Sequence, residues 1–308
     1  MVGATIAIDA MGGDHGLAHN IKAANKFLSN NKDQRIILVG DKEKIVGYNL
    51  HENISVEHAE HHITMEDSPV EAIKNKKNSS LRVTLDLVKQ GKAVAAVSAG
   101  NTGAVVALAK FVLGMQPGIK RPVLAAEAVD CNGRQRLFLD LGANVDCSAK
   151  MLHQFATLGR EAYMRMHENE PNIALFNVGK EQIKGSVTIK EAAQLIEEDD
   201  SLKYIGFVEG DNIICSNADI IVVDGFTGNI ALKSVEGAIK CMLGEKGLIR
   251  DMLLFCFKGF IKRRIALLPG PAAMLLGVNQ PVFKIHGSAS QSHIVKALNS
   301  ISNLRAKI

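Results

Sequence analysis

Residues 93–104 read A-V-A-A-V-S-A-G-N-T-G-A. The apolar run 93–97 predicts a fully buried strand, although its periodicity alone also fits a buried helix. Small polar residues follow, and the Ala-rich stretch 104–113 then predicts a helix. A strand, a small polar turn and a helix bring backbone N–H groups and the positive end of the helix dipole to one point, which favours an anion. The same residues also make a good N-cap for a core helix, so both interpretations stay open.

The polar turn of this stretch supplies hydrogen-bond donors and allows close backbone approach. Its candidate ligand-binding residues are Ser98, Gly100, Asn101, Thr102 and Gly103. Residues 96–100 also resemble the G-x-S-x-G nucleophile elbow, with Ala in the place of the first Gly. Residues 228–234, G-N-I-A-L-K-S, resemble a Walker A loop that lacks the Gly before Lys. Neither motif is complete, so neither assigns a function by itself.

Composition narrows the class of protein. The chain has 308 residues, of which 47% are apolar, enough for one large domain or two intertwined lobes. A net charge of +4 is too small to indicate nucleic-acid binding, and it suits an anionic substrate or an acidic partner. The 5 cysteines share no C-x-x-C spacing, which predicts free thiols in a reducing cytoplasm. We find neither a signal peptide nor an apolar run near the roughly 20 residues that cross a bilayer.

A strand that ends in a polar residue recurs along the chain. Apolar runs at 5–10, 136–140, 172–177 and 220–223 read as strands, and small polar residues follow each of them. Alternating strands and helices predict the α/β class, in which ligands gather at the carboxyl ends of strands. No G-x-G-x-x-G fingerprint occurs, which counts against NAD bound in the Rossmann manner. The strand ends predict one site built from many loops, with Asp9, Gly12, Gly13 and Asp14; Asp140, Gly142 and Asn144; Asn177 and Gly179; and Asp224, Thr227, Gly228 and Asn229.

Two polar segments leave a structural and a functional interpretation open. Histidines and glutamates at 57–62 suggest a metal site, but no Cys joins them and no firm element fixes ligand geometry, which favours a solvated loop. The lysine-rich segment 74–80 is either a solvated face or an anion site. In this segment Ser79 and Ser80 precede a predicted helix at 81–89, for which Ser80 is the expected N-cap.

The segment 248–268 differs from the rest of the chain. It is strongly apolar, yet it carries Lys258, Lys262, Arg263 and Arg264. A basic amphipathic hairpin of this kind can lie on an anionic membrane surface. A helix buried at a dimer interface explains the same pattern, so both interpretations stay open.

Motifs along nearly the whole chain carry a resemblance to one family, the bacterial acyl-carrier-protein:phosphate acyltransferases of phospholipid synthesis. These motifs are I-D-A-M-G-G-D-H at 8–15, K-K-N-S-S at 76–80, S-A-G-N-T-G-A at 98–104, R-P-V-L-A at 121–125, L-D-L-G-A-N-V-D at 139–146, N-V-G-K-E-Q-I-K-G at 177–185, D-G-F-T-G-N-I-A-L-K at 224–233 and H-G-S-A at 286–289.

The resemblance implies both a fold and an activity. The fold is an isocitrate/isopropylmalate-dehydrogenase-like three-layer α/β sandwich with a mixed, largely parallel sheet. The activity is transfer of a long-chain acyl group from acyl carrier protein to inorganic phosphate, without cofactor or metal. The implied assembly is a cytoplasmic homodimer, peripherally associated with the inner face of the membrane through 248–268. Its acyl phosphate would serve a membrane glycerol-3-phosphate acyltransferase.

Three stretches depart from the family pattern. Leu17 stands where a Pro is expected, the loop 127–134 is shorter, and Gly-Pro-Ala-Ala at 270–273 replaces a Gly-Gly-Ala-like turn. The departures concern the rim for the acyl chain and the partner surface, and they leave the polar turns unchanged.

The implied chemistry is direct attack of phosphate on a thioester, without an acyl-enzyme. The candidate catalytic residues are Lys184, Asn229 and His15, and the sequence does not decide which lysine offsets the phosphate charge: Lys184, Lys233 or the pair Lys76 and Lys77. Either His15 or His286 can assist as an acid or base, or can make a structural hydrogen bond. Asp9, Asp140 and Asp224 are expected to orient loops. Ser79, Ser80, Lys233 and His286 join the polar turns as candidate substrate-binding or phosphate-binding residues.

Three other classes compete with this interpretation. A dehydrogenase of the same fold would bind NAD, a serine acyl-hydrolase would use Ser98, and an adaptor for a carrier protein or a membrane would bind without turnover. Tight NAD binding would indicate the dehydrogenase, labelling of Ser98 by a fluorophosphonate probe would indicate the hydrolase, and phosphate-dependent release of acyl groups would exclude the adaptor.

Overall fold

The computed structural model describes residues 4–129, 133–213, 215–243 and 269–305. The strands are β1 (Thr5–Asp9), β2 (Arg35–Gly40), β3 (Ile54–His58), β4 (Ala95–Ser98), β5 (Val123–Val129), β6 (Gln135–Leu139), β7 (Ile173–Phe176), β8 (Tyr204–Val208), β9 (Ile220–Val222), β10 (Pro269–Leu276) and β11 (Val282–Ile285). The helices are α1 (Gly16–Asn30), α2 (Lys42–Val46), α3 (Pro69–Asn75), α4 (Ser80–Lys89), α5 (Thr102–Leu113), α6 (Ala149–His167), α7 (Val187–Glu197), α8 (Gly225–Leu243) and α9 (Gln291–Arg305).

The chain divides into two compact units. Unit 1 comprises Met1–Pro122 and Pro271–Ile308, and unit 2 comprises Val123–Gly270. Unit 2 is therefore one continuous piece of chain, whereas unit 1 is built from both ends of the sequence.

Unit 1 is a three-layer sandwich. Its strands lie in the order β3-β2-β1-β4-β11-β10, and all neighbours are parallel except β10 and β11. Ile8, Val97 and Phe283 stand in register on adjacent strands and share one core with α1 and α9. Helices α4 and α5 contact the strands from the other side, since side chains alternate between the faces of a strand.

Unit 2 follows the same plan. Its strands lie in the order β5-β6-β9-β7-β8, with β5 and β6 antiparallel and the other neighbours parallel. Helix α6 packs on this sheet through Gly159, where an added Cβ would collide with the Leu139 side chain. The predicted α/β class with a mixed, largely parallel sheet is confirmed.

Pro269 begins β10, and the first residue of a strand tolerates Pro because the ladder needs no N–H from it. One boundary prediction is wrong. Glu127 was expected to open a loop, yet β5 continues to Val129 because its last residues pair with β6.

Two predictions about helix starts are also wrong. Residues 225–229 form the first turn of α8 and not a loop. The N-cap of α4 is Ser79, whose side chain accepts a hydrogen bond from the Arg82 N–H, so that Ser80 is already helical. The short helix α2 was not predicted.

The predicted amphipathic segment 248–268 lies outside the described residues. Across the ranges that are described, no helix combines the length and the hydropathy that a membrane crossing needs.

Candidate active site

The carboxylate of Asp9, at the end of β1, joins three segments of unit 1. The Ser80 hydroxyl donates to Asp9 Oδ1 over 2.6 Å, and the Ser98 hydroxyl donates to Oδ2 over 2.7 Å. Backbone N–H groups of Met11 and Gly12 also donate to this carboxylate. Asp9 therefore ties the end of β1 to the end of β4 and to the start of α4.

Burial dominates the electrostatics of Asp9. Desolvation raises the pKa of this carboxyl above its ordinary value, against the lowering effect of its hydrogen bonds from Ser80, Ser98 and the backbone. Each oxygen is already engaged by a neighbouring donor, and only 3% of the residue is exposed. This geometry fits an orienting role better than that of a base that contacts substrate.

Ser98 does not have the surroundings of a nucleophile. Its hydroxyl donates to Asp9 and accepts a hydrogen bond from the Gly100 N–H over 3.0 Å, and the residue is 2% exposed. A serine nucleophile needs an adjacent base and access to the substrate. A Cβ on Gly12 would lie 2.7 Å from Asp9 Oδ2 and 2.8 Å from the Gly100 nitrogen, so the two turns are in close contact.

Asn101 caps α5 and also holds a neighbouring loop. Its Oδ1 accepts from the Ala104 N–H over 3.1 Å, and its Nδ2 donates to carbonyls of residues 64, 65 and 67. The N–H groups of Thr102 and Gly103 are the first-turn donors that have no partner within the helix. Asn101 therefore caps α5, and the N–H groups of Thr102 and Gly103 are placed to bind an anion.

Two further turns of unit 1 meet beside this cluster. The Asp14 N–H donates to the Gly287 carbonyl over 2.9 Å, and His15 Nε2 lies 3.3 Å from the Ser288 carbonyl. His286 Nδ1 accepts from the Ser288 N–H over 3.2 Å. Both histidines are exposed and lie in turns that touch each other.

Lys76, in the lysine-rich segment, bonds to two residues of the loop 62–67 and holds that loop in place. Lys76 Nζ lies 2.5 Å from Asp67 Oδ2 and donates to the His62 carbonyl over 3.0 Å. The hydrogen bond from Lys76 lowers the pKa of Asp67 below its ordinary value. His58 Nδ1 accepts from the Lys42 N–H, and among the residues described no group of three or more His, Cys, Asp or Glu could hold a metal ion.

In unit 2, Asp140 repeats the arrangement of Asp9. Its Oδ1 accepts from the N–H groups of Leu124 and Ala143 over 3.1 Å each, and its Oδ2 accepts from the N–H and Nδ2 of Asn144 over 2.7 and 2.9 Å. Burial raises the pKa of Asp140 above its ordinary value, although these hydrogen bonds lower it. The carboxylate thereby fixes the turn that follows β6.

The turn after β9 is held against the turn after β6. Asp224 accepts from the Thr227 N–H over 2.8 Å and from its hydroxyl over 2.7 Å, which caps the start of α8. The Gly225 N–H donates to the Asn144 carbonyl over 2.7 Å. A Cβ on Gly228 would collide with the carbonyl of Asp140, so this close approach requires Gly.

Asn177 organises the loop that carries Lys184. Its Nδ2 donates to the carbonyls of Gly179 and Lys184 over 3.1 and 3.3 Å, and its Oδ1 accepts from the Val178 N–H over 2.9 Å. Gly185 has a φ of +89°, and a Cβ there would collide with Asn177. The side chain of Lys184 is exposed on this braced loop.

Contacts join part of the predicted site residues into a cluster around Asp9 in unit 1 and a cluster around Asp140 in unit 2. Unit 1 holds Asp9, Gly12, Gly13, Asp14, His15, Ser79, Ser80, Ser98, Gly100, Asn101, Thr102, Gly103 and His286. Unit 2 holds Asp140, Gly142, Asn144, Asn177, Gly179, Lys184, Asp224, Thr227, Gly228 and Asn229. Lys233 lies further along α8, where Nζ is 2.8 Å from Glu236 Oε2.

One supporting residue was not predicted. Asn20 is buried within α1, and its Nδ2 donates to the carbonyls of Ala10 and Gly12 over 2.9 Å each. It fixes the turn after β1. The available signal was a single Asn beside the apolar stripe of α1, which is too weak to assign a role.

Solved structures of low sequence identity share the fold. A phosphotransacetylase from Streptococcus pyogenes has a TM-score of 0.66 at 18% identity, with 99% of this chain and 94% of that chain covered. A branched-chain phosphotransacylase from Enterococcus faecalis has a TM-score of 0.62 at 16% identity, covering 98% and 99%. A 4-hydroxythreonine-4-phosphate dehydrogenase from Klebsiella pneumoniae has a TM-score of 0.56 at 11% identity, covering 98% of each chain. These likenesses establish the fold alone.

Sequence relatives are much closer. The phosphate acyltransferase of Methylococcus capsulatus is 43% identical, with 96% of this chain and 91% of that protein covered. The phosphate acyltransferase of Legionella pneumophila strain Paris is 41% identical, covering 93% and 88%. The profile of a family described as fatty acid synthesis protein matches residues 4–307. The chain therefore belongs to the fatty acid synthesis protein family, together with these phosphate acyltransferases.

Proposed function

We propose that this chain is an acyltransferase that moves an acyl group from a thioester to inorganic phosphate, giving an acyl phosphate for phospholipid synthesis. The observation that carries the proposal is its 43% identity with a phosphate acyltransferase over 96% of its length. The two clusters support it, because each presents rigid turns with backbone donors at the carboxyl ends of parallel strands. Direct transfer to an anion needs such preorganised donors.

The reaction balances without a covalent enzyme intermediate. A phosphate oxygen forms a C–O bond to the carbonyl carbon of the thioester, the C–S bond breaks, and the thiolate leaves and takes a proton from solvent. Negative charge develops on the carbonyl oxygen in between, and preorganised N–H donors at the strand ends stabilise it. The engaged and buried hydroxyl of Ser98 argues against an acyl-serine.

Lys184, Asn229 and His15 remain the proposed catalytic residues. Lys184 is supported by its exposed side chain on the loop braced by Asn177, whereas Lys76 and Lys233 are each bonded to an acidic side chain. We expect Lys184→Met to lower kcat about 100-fold or more, as for loss of one well-placed charge-stabilising group. Lys180→Met, in the same loop, is the control and should retain most activity.

The decisive experiment incubates the protein with palmitoyl acyl carrier protein, with and without inorganic phosphate, and measures acyl phosphate. Product that requires phosphate supports the transferase. Free fatty acid released without phosphate would instead indicate a hydrolase, and binding without turnover would indicate an adaptor. Acyl carrier protein is the proposed donor, and acyl-coenzyme A serves as the comparison donor.

We propose further that the protein is a cytoplasmic homodimer that visits the inner face of the membrane and hands its product to a membrane glycerol-3-phosphate acyltransferase. The support is the basic, apolar sequence 248–268. Changing Lys262, Arg263 and Arg264 together to Glu should abolish sedimentation with anionic liposomes, and unchanged sedimentation would contradict the membrane contact. Light scattering after size-exclusion chromatography tests the dimer.

A further inference from the structure

Lys284 is a buried lysine on β11, which is an interior strand of the unit 1 sheet. It lies on β11 with 8% of its surface exposed, and its Nζ donates to the carbonyl of Ile285 over 2.5 Å. Lysine is among the residues least often buried, because removing an ammonium group from water is costly. A buried lysine at the end of a strand is therefore a candidate for function.

Strand register places Lys284 in one row with two residues of the Asp9 cluster. Asp9 is the register partner of Ser98, and Ser98 is the register partner of Lys284. Partners on adjacent parallel strands point to the same face. The residues one position earlier on these strands, Ile8, Val97 and Phe283, face the core under α1 and α9. The row of Asp9, Ser98 and Lys284 therefore faces α4 and α5.

The row has opposite charges on its two sides. Asp9, on β1, flanks Ser98 on one side and already accepts hydrogen bonds from the hydroxyls of Ser80 and Ser98. Lys284 flanks Ser98 on β11 and adds a positive charge at the carboxyl edge of the strands. Residues 99–101 connect Ser98 to α5, so the first-turn N–H donors of α5 follow the same strand end that Lys284 flanks, and both favour an anion.

We propose that Lys284 binds a phosphate group of the substrates, and that this group is the inorganic phosphate that attacks the thioester. This inference rests on the proposed function, and it assigns the positive charge to a lysine that the sequence did not single out. The phosphate of a pantetheine arm has the same chemistry and is the alternative source.

The test compares Lys284→Met with Lys89→Met, which removes the same charge from the exposed end of α4. We expect Lys284→Met to raise the KM for inorganic phosphate about 10- to 100-fold, the range for losing one hydrogen bond to a charged group. The KM for the acyl thioester should stay unchanged. Lys284→Arg, which keeps the charge, should restore part of the phosphate affinity. Thermal stabilisation by added phosphate, measured without acyl donor, should be lost in Lys284→Met and kept in Lys89→Met.

Each other outcome has a distinct meaning. If wild-type protein makes acyl phosphate and Lys284→Met keeps the wild-type phosphate KM and phosphate stabilisation, the inference is wrong. If wild-type protein shows no turnover, the proposed function fails, and the stabilisation assay alone decides on Lys284. A raised KM for acyl-phosphopantetheine but not for acyl-pantetheine or inorganic phosphate would assign the lysine to the arm. If neither Lys284→Met nor Lys284→Gln folds, the lysine is structural and the inference is overturned.

Discussion

Replacing Asp9 by Asn changes one oxygen of a buried carboxylate into a nitrogen and keeps its size. In the wild-type protein the two oxygens accept the hydroxyls of Ser80 and Ser98 over 2.6 and 2.7 Å. An amide offers one acceptor and one donor, so one hydroxyl loses its partner. We expect the turns after β1 and β4 to loosen together.

The magnitude follows from this loss. One hydrogen bond to a charged group contributes about 1.5–3 kcal/mol to the free energy of unfolding. For a chain of this size, 1 kcal/mol corresponds to roughly 2–4 °C in melting temperature, so Asp9→Asn should lower the Tm by about 3–12 °C near neutral pH. Asp33→Asn, at an exposed carboxylate of the same unit, should change the Tm little.

The pH dependence gives the sharper test. Burial raises the pKa of Asp9 in the folded protein above its value in the unfolded chain. Such a group contributes stability that is fully present below the unfolded pKa and is lost as the pH rises through the folded pKa. Asn does not titrate, so the Tm difference between wild type and variant should shrink as the pH rises from about 4 towards neutrality. Asp140 is present in both proteins, so its contribution to the Tm difference cancels.

Thermal unfolding of both proteins at several pH values provides the measurement. Equal melting temperatures at every pH would mean that the serine–carboxylate contacts contribute nothing. A difference that grows with pH would mean that the hydrogen bonds outweigh burial and depress the Asp9 pKa, which would refute the electrostatic argument.

Three further predictions concern the turns. Gly12→Ala places a Cβ 2.7 Å from the carboxylate at the end of β1, and overpacking of this kind should lower the Tm by about 2–10 °C and reduce activity; Gly47→Ala, with nothing within 4 Å, is the control. Asn101→Asp keeps the cap of α5 but removes the amide donor, so hydrogen exchange should quicken in 64–67 and stay slow in the helix. Gly228→Ala should destabilise the protein, whereas Gly237→Ala in the same helix should stabilise it by about 0.5–1 kcal/mol in denaturant unfolding.

The sequence predicted the elements whose signals are local. The run 93–97 and the capped helix after it were recognisable because burial and capping leave short patterns in the chain. The recurrence of polar strand ends predicted that strand ends lie near one another but named no contacting pair, and the ends of β1 and β4 do make contact. Asp9 contacts Ser80 and Ser98, which are 71 and 89 residues away. Parallel strands bring such distant ends to one edge, so a topological rule was enough.

The features that were missed depend on tertiary structure. The sequence did not single out Lys284, whose burial follows from its place on β11 between β4 and β10. The first turn of α8 contains Gly228, which weakens a helical pattern, and its compensation is a close approach to the carbonyl of Asp140. The cap of α4 fell on Ser79 because Asp9 engages the hydroxyl of Ser80. In each case a contact with residues distant in the sequence determines the local structure.

The split composition of unit 1 has a consequence for biosynthesis. Strand β11 lies between β4 and β10 in that unit, yet it is synthesised after every described strand of unit 2. A nascent chain therefore possesses every strand of unit 2 before it can complete unit 1, although unit 1 begins first. A chain truncated before Val282 would lack the strand that pairs with both β4 and β10. The edge of β4 would then be unpaired and exposed to non-native strand pairing.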